Sequence, residues 1–357
     1  MADAANRRNL IFFGLAVWSL ATMMAAWATS FAALFATRIF VGMGEACLIP
    51  AGMSLLTAYF APANLARGTA VFGLGANFGY GLAFLGGGAV LAGLQASGGL
   101  HAPWGLLAPW RAIFVLAGAL AAPVLIMLCF LKEPPRAARA TVLRDGLAYL
   151  WRNLGGYAPF LLVGAMTAVT GYAVTSWSSS LFVRVHGMAP AQAGQLIGLI
   201  GVVAGPLGTI SGGVLLDRLR AWGVAGAPLV IMAGGGLVAL LTAAGAAYAP
   251  TTPLAAAGFC LFVFESTFTL PSLYVGMQLL TPGGFRGVAA SFNMMVYTLA
   301  GLGLGPAMVG AISDRLQGRL GLAHAIVIVE AAMALAILPI ALLARRRYQA
   351  RMAAVAG

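Results

Sequence analysis

Charge is what this sequence has least of. Only 8% of its 357 residues are Asp, Glu, Lys or Arg, against about 25% in a soluble domain, which excludes an ordinary water-facing surface. Cysteine is nearly absent. Cys47, Cys129 and Cys260 are scattered through apolar stretches, which excludes a disulfide framework and leaves no cysteine metal site. Three histidines, His101, His186 and His324, stand alone without metal-ligand spacing. No Gly-rich loop ends in Lys-Ser or Lys-Thr. Neither a metal enzyme nor an ATP-driven machine has support, and no cofactor is implied.

What is present is apolar length. Hydrophobic residues make up 61% of the chain and its mean hydropathy is +0.95, so its solvent is lipid. Runs of about 17–25 residues, enough to span a bilayer as a helix, occur ten times. They lie near Leu10–Trp27, Phe31–Phe60, Val71–Leu94, Ala112–Leu131, Pro159–Phe182, Ala193–Leu216, Pro228–Tyr248, Pro253–Leu280, Ala289–Ile312 and Leu322–Leu343. The expectation is an all-α polytopic membrane protein.

A formal charge of +12 raises the question of nucleic acid, but its distribution points elsewhere. With loops counted alternately, one side of the membrane receives fifteen Lys or Arg and the other four. That asymmetry places both termini in the cytoplasm of a multi-pass protein of the cell (inner) membrane. The surplus reads as a topology signal with some attraction to anionic headgroups, and nucleic acid is not a partner.

The longest polar stretch, Lys132–Tyr157, opens Lys-Glu-Pro-Pro, which stops a helix. Val142, Leu143, Leu147, Leu150, Trp151 and Leu154 then recur at helical spacing beside Arg144 and Arg152, the pattern of an interfacial amphipathic helix. Three regions follow: an N-terminal bundle of four spans (1–131), a cytoplasmic linker (132–156), and a six-span bundle with a basic tail (157–357).

The two bundles carry matched markers. Glu45 lies 22 residues before Arg67 and Glu265 lies 21 before Arg286, and each glutamate is followed within its span by a proline, Pro50 or Pro271. Asp3 precedes Arg67 by 64 residues and Asp217 precedes Arg286 by 69. Parallel repeats of this kind are a transporter architecture.

Gly213-Val-Leu-Leu-Asp217-Arg218-Leu-Arg220 resembles the loop motif of the major facilitator superfamily, and Asp3, Arg7 and Arg8 resemble the tail of its other copy, with Ala4 where a basic residue is usual. Arg38-Ile-Phe-Val-Gly42-Met-Gly44-Glu45 with Pro50 resembles the spinster-like branch and its bacterial relatives. So do Pro109–Phe114, Arg184–Gly187 and Gly303–Gly310. The resemblance implies a fold of twelve helices in two bundles. The ten spans then correspond to helices three through twelve, with helices one and two not represented. It also implies a central cavity walled here by the second, fifth and eighth spans, and a latch of Asp3, Arg7, Arg8, Gly213, Asp217 and Arg218.

Ionisable groups inside spans are the sharpest clues, because each costs about 2.5–3.5 kcal/mol to insert at the bilayer centre. Glu45 and Glu265 fall at mid-span, and Arg38 precedes Glu45 by two turns, close enough to share a polar cavity. By the resemblance, Arg38 and Glu45 couple protons; Glu265 joins them as a candidate. Glu330 in the last span is expected to make a helix–helix hydrogen bond. Asn77, Tyr80, Tyr172, Trp177, Asn293 and Tyr297 are candidate cavity residues, though such groups also tie helices together. Gly75, Gly79 and Gly86–Gly88, with Gly301, Gly303, Gly305 and Gly310, are expected at close helix contacts. The leading reading is a monomeric, non-enzymatic secondary carrier of a small organic or lipid-like solute, coupled to protons. The other is a truncated, transport-incompetent membrane partner.

Overall fold

Lipid offers the backbone no hydrogen-bond partners, so a chain this apolar must satisfy its own N–H and C=O groups within helices. A computed structural model of the chain describes residues 6–60, 62–102, 105–134, 143–224 and 226–356; Asp3 and the side chains of Arg67 and Asn77 lie outside the described residues. Among the described residues the architecture is all-α apart from one two-stranded ribbon, Leu100–Ala102 with Gly105–Leu107, paired antiparallel.

The helices are α1 (Arg7–Met24), α2 (Phe31–Glu45), α3 (Leu48–Tyr59), α4 (Pro62–Ala96), α5 (Pro109–Ala119), α6 (Ala121–Phe130), α7 (Leu143–Arg152), α8 (Leu154–Arg184), α9 (Pro190–Ala221), α10 (Ala227–Tyr248), α11 (Thr252–Phe268), α12 (Leu270–Leu279), α13 (Arg286–Arg315) and α14 (Gly321–Ala356). Their starts are written locally. The Asn6 and Ser30 side chains accept the Asn9 and Ala33 amides and cap α1 and α2. Proline occupies the first turn of α5, α9, α10, α11 and α12, where its missing N–H leaves no bond unmade.

Nine stretches among the described residues are long and apolar enough to cross a bilayer. The expected second span is not one of them, because it divides into α2 and α3, of 15 and 12 residues. The break falls at Ala46–Cys47. Pro50 has no amide to bond the Ala46 carbonyl one turn back, so the helical ladder cannot run through unbroken.

Two compact units form, one from residues 1–76 and 86–140, the other from 77–85 and 141–357. In the first, α1 and α2 meet glycine against glycine. A Cβ on Gly14 would lie 2.8 Å from the Gly44 carbonyl oxygen, and one on Gly44 would overlap Gly14 in turn. In lipid, where apolar burial between helices gains nothing over lipid tails, such close backbone approach is what joins helices.

Among the described residues the second unit has two large cores and a smaller one around Leu216, Ala227 and Ile231. Phe182, Ile197, Phe259 and Phe262 centre one large core, and Tyr157, Phe160, Met232, Leu273 and Tyr348 the other. Gly208 and Gly212 of α9 pack against α11, where a Cβ would overlap the Phe264 and Phe268 carbonyls. Gly301 and Gly305 of α13 receive Tyr172 and the α8 backbone, as expected. On α4 the expectation fails: a Cβ on Gly75, Gly79, Gly86 or Gly87 would meet nothing within 4 Å, and it is Gly81 that packs on Gly198 and Val202. Residue type marks where close approach is allowed; the neighbour decides whether it happens. The α8–α9 turn closes on Gly187 at φ 72°, with Met188 N–H donating to the Phe182 carbonyl. Arg319 pins the same turn by donating twice to the Val185 carbonyl, at 3.1 and 2.7 Å.

Candidate functional site

In the first unit, Glu45 is the last residue of α2, immediately before the break, and is exposed. Arg38 lies two turns earlier on the same helix and is also exposed. The two form no ion pair. Instead the Arg38 guanidinium sits 5.5 Å from the centroid of the Phe114 ring on α5, a cation–π contact. Arg38 and Phe114 belong to two separately quoted sequence stretches, and the fold brings those stretches together. The long arginine stem reaches the neighbouring helix more readily than it folds back along its own.

At one end of this unit Arg7, 5% exposed, reads four acceptors at once. Its Nε donates to Glu133 Oε1 at 2.8 Å, and its terminal nitrogens donate to the Pro134 carbonyl at 2.8 Å, the Ser54 carbonyl at 3.2 Å and Ser54 Oγ at 3.3 Å. The Arg8 amide donates to Glu133 Oε2 at 3.0 Å, so Glu133 also places negative charge at the N-terminus of α1. Partial burial pushes the Glu133 carboxyl up, but hydrogen bonds from Arg7 and from the Arg8 and Arg7 amides, with the Arg7 charge, outweigh it and hold the group below its ordinary range. Sequence reasoning took Glu133 only as part of a helix stop. Its partner lies 126 residues away, and no local pattern announces that.

In the second unit the matched span is again broken, at Thr269 between α11 and α12, with Pro271 in the first turn of α12 and Glu265 one turn before the break. Glu265 is 6% exposed and its Oε2 has no hydrogen-bond partner. Its Oε1 fills the space left by Gly235 of α10, where a Cβ would come within 2.6 Å. Glu330 on α14 is fully buried, and neither of its oxygens has a partner. The helix–helix hydrogen bond expected of it is therefore not made. The buried Thr170 hydroxyl of α8 faces it as the donor that comes nearest to making that bond.

Of the expected cavity residues, Tyr172 and Tyr297 stand ring edge to face at 6.1 Å between α8 and α13. Trp177 donates its Nε1–H to the Pro306 carbonyl at 3.0 Å, and buried Asn293 donates to the Leu273 carbonyl at 3.2 Å. These two side chains tie helices within the bundle. Tyr80 stacks at a tilt on Phe84 and lies against Gly201, its hydroxyl buried and unpartnered. Among the latch residues, Asp217 is largely exposed and pairs at 3.7 Å with Arg220, one turn on in its own helix. Arg218 is exposed, and a Cβ on Gly213 would meet open space. Arg7 and Arg8, by contrast, are fastened to Glu133. The two motif copies thus stand in unlike surroundings.

The sequence pattern described as Major Facilitator Superfamily matches residues 1–306. The chain belongs to that superfamily. Among curated relatives, an MFS-type efflux pump of Mycolicibacterium smegmatis is 28% identical over 211 residues, covering 57% of this chain and 46% of the pump, so the matched region spans about half of that relative's length. Among solved structures, a bacterial homolog to the human lysosomal transporter Spinster, in an inward-facing and unoccupied conformation, matches with TM-score 0.75 and 22% identity, covering 99% of this chain and 85% of that one. A D-xylose–proton symporter matches with TM-score 0.67 and 16% identity, covering 94% of this chain and 80% of the symporter. The major facilitator fold is therefore common to this chain and both solved transporters.

Proposed function

We propose that this chain is a proton-coupled secondary carrier that moves a small organic or amphipathic solute across the cell membrane by alternating access, in the direction of export. The observation that carries the reading is the pair of interrupted helices, each with a carboxylate at the break or one turn before it: Glu45 before α3 and Glu265 before α12. Interrupted apolar helices at corresponding places in two halves are where secondary transporters build their binding sites, because freed backbone groups are tolerated only where they line a cavity. Arg38, Glu45 and Glu265 are the proton-coupling groups in this reading, and Tyr80, Tyr172 and Tyr297 with Asn77, Trp177 and Asn293 belong to the cavity. Asp3, Arg7, Arg8, Gly213, Asp217 and Arg218 form the latch. The scarcity of charge in the spans supports an apolar or amphipathic solute. The efflux-pump relative supports export, and the proton-symporter neighbour supports the coupling ion. The fifteen-to-four charge asymmetry supports an inner-membrane protein with both termini cytoplasmic.

The test is flux in proteoliposomes under an imposed pH gradient, with a panel of amphipathic dyes and sugars. Glu45→Gln should abolish gradient-driven flux while leaving the protein folded, and Arg38→Ala should reduce it. Unchanged proton dependence in Glu45→Gln removes that residue from coupling.

A further inference from the structure

The second unit holds two carboxyl groups that its interior does not satisfy. Glu265 comes from α11, where its Oε1 occupies the room left by Gly235 of α10, and Glu330 comes from α14, which packs on the same helix through Ile337 at Gly236. The two are close enough to feel each other's charge. Three of their four oxygens are buried without a hydrogen-bond partner. Among the described residues Tyr297 of α13 faces Glu265, with Tyr172 of α8 and Tyr274 of α12 beside that tyrosine. Among the described residues no Lys, Arg or His bonds to either carboxyl.

An ionised carboxylate can only accept hydrogen bonds. Buried with no countercharge, and with only the Thr170 hydroxyl facing Glu330 as a donor among the described residues, it is strongly disfavoured, and a second carboxylate beside it adds repulsion. A protonated carboxyl is neutral and brings its own donor. We propose that Glu265 and Glu330 form a proton-binding site inside the second unit, two carboxyls that hold at least one proton between them at neutral pH. The site extends the proton-coupled reading above by adding Glu330 to Glu265, both in the second unit, whereas Arg38 and Glu45 belong to the first.

Infrared spectroscopy of the whole chain in liposomes tests this directly. At neutral pH the wild-type protein should show a neutral-carboxyl C=O band that shifts on exchange into D₂O. Glu265→Gln and Glu330→Gln should each reduce its area by about half or more, and the double variant should remove it. Glutamine matches the protonated acid in size and neutrality, so these variants are expected to fold. Should one fail to, the area lost in the other single variant still decides. Absence of the band at neutral pH, or an unchanged area in both single variants, overturns the proposal. The flux assay separates the two readings. Proton-driven flux without the band sinks the carboxyl pair alone, whereas the band without proton-driven flux sinks the coupling reading alone.

Discussion

Arg7 and Glu133 show how much a single residue can organise when its partners are scattered. One buried guanidinium fixes the start of α1, the middle of α3 and the segment after α6, a fork that lysine cannot reproduce. Glu133→Gln keeps the shape and removes the charge, and should lower stability by about 1.5–3 kcal/mol, read as a fall in the melting midpoint in detergent. The pH dependence has a definite sign. Because the folded-state carboxyl titrates below its unfolded value, its extra stabilisation is complete above about pH 4.3 and fades as pH falls through the lower, folded value. The gap between wild type and Glu133→Gln should therefore close in acid; a gap that stays constant would remove the ion pair from the explanation. Trp177→Phe, which loses one hydrogen bond to the Pro306 carbonyl, should cost about 1 kcal/mol.

Elements in this protein are positioned by where backbones may touch. The α9–α11 contact offers a controlled pair of substitutions. Gly212→Ala drives a Cβ into the Phe268 carbonyl, which no side-chain rotation can relieve, and should destabilise by about 1–3 kcal/mol. Gly213→Ala, one residue on, faces open space and should leave stability unchanged or raise it by up to about 1 kcal/mol, since alanine favours the helix. Thermal unfolding of both variants checks the contrast, and equal losses would contradict the packing account. Because Gly213 is also a motif residue, a stable Gly213→Ala protein with altered flux would assign the glycine to the latch and not to packing.

For the whole molecule, the charge asymmetry makes a topological prediction. With Cys47, Cys129 and Cys260 replaced, an Ala350→Cys protein in intact cells should resist a membrane-impermeant thiol reagent until the membrane is opened. Labelling from outside would reverse the proposed orientation. The spans themselves were legible in the residues, because lipid permits only self-satisfied helices and an unbroken apolar run has no other stable form. The interruption after Glu45 was legible in part, through Pro50. The meeting of Arg38 with Phe114 was not, since it depends on which helix packs beside α2.

Composition and periodicity alone determined a helical membrane protein, and the motifs alone pointed to its superfamily. These are local properties, set by what each segment does with lipid and with its own backbone. Tertiary structure alone decided that Arg7 meets Glu133, that Trp177 and Asn293 tie helices, and that three of the four Glu265 and Glu330 oxygens are buried without a hydrogen-bond partner. Those outcomes rest on contacts between residues far apart in the chain, and the chemistry of a buried group is set by its neighbours rather than by its own type.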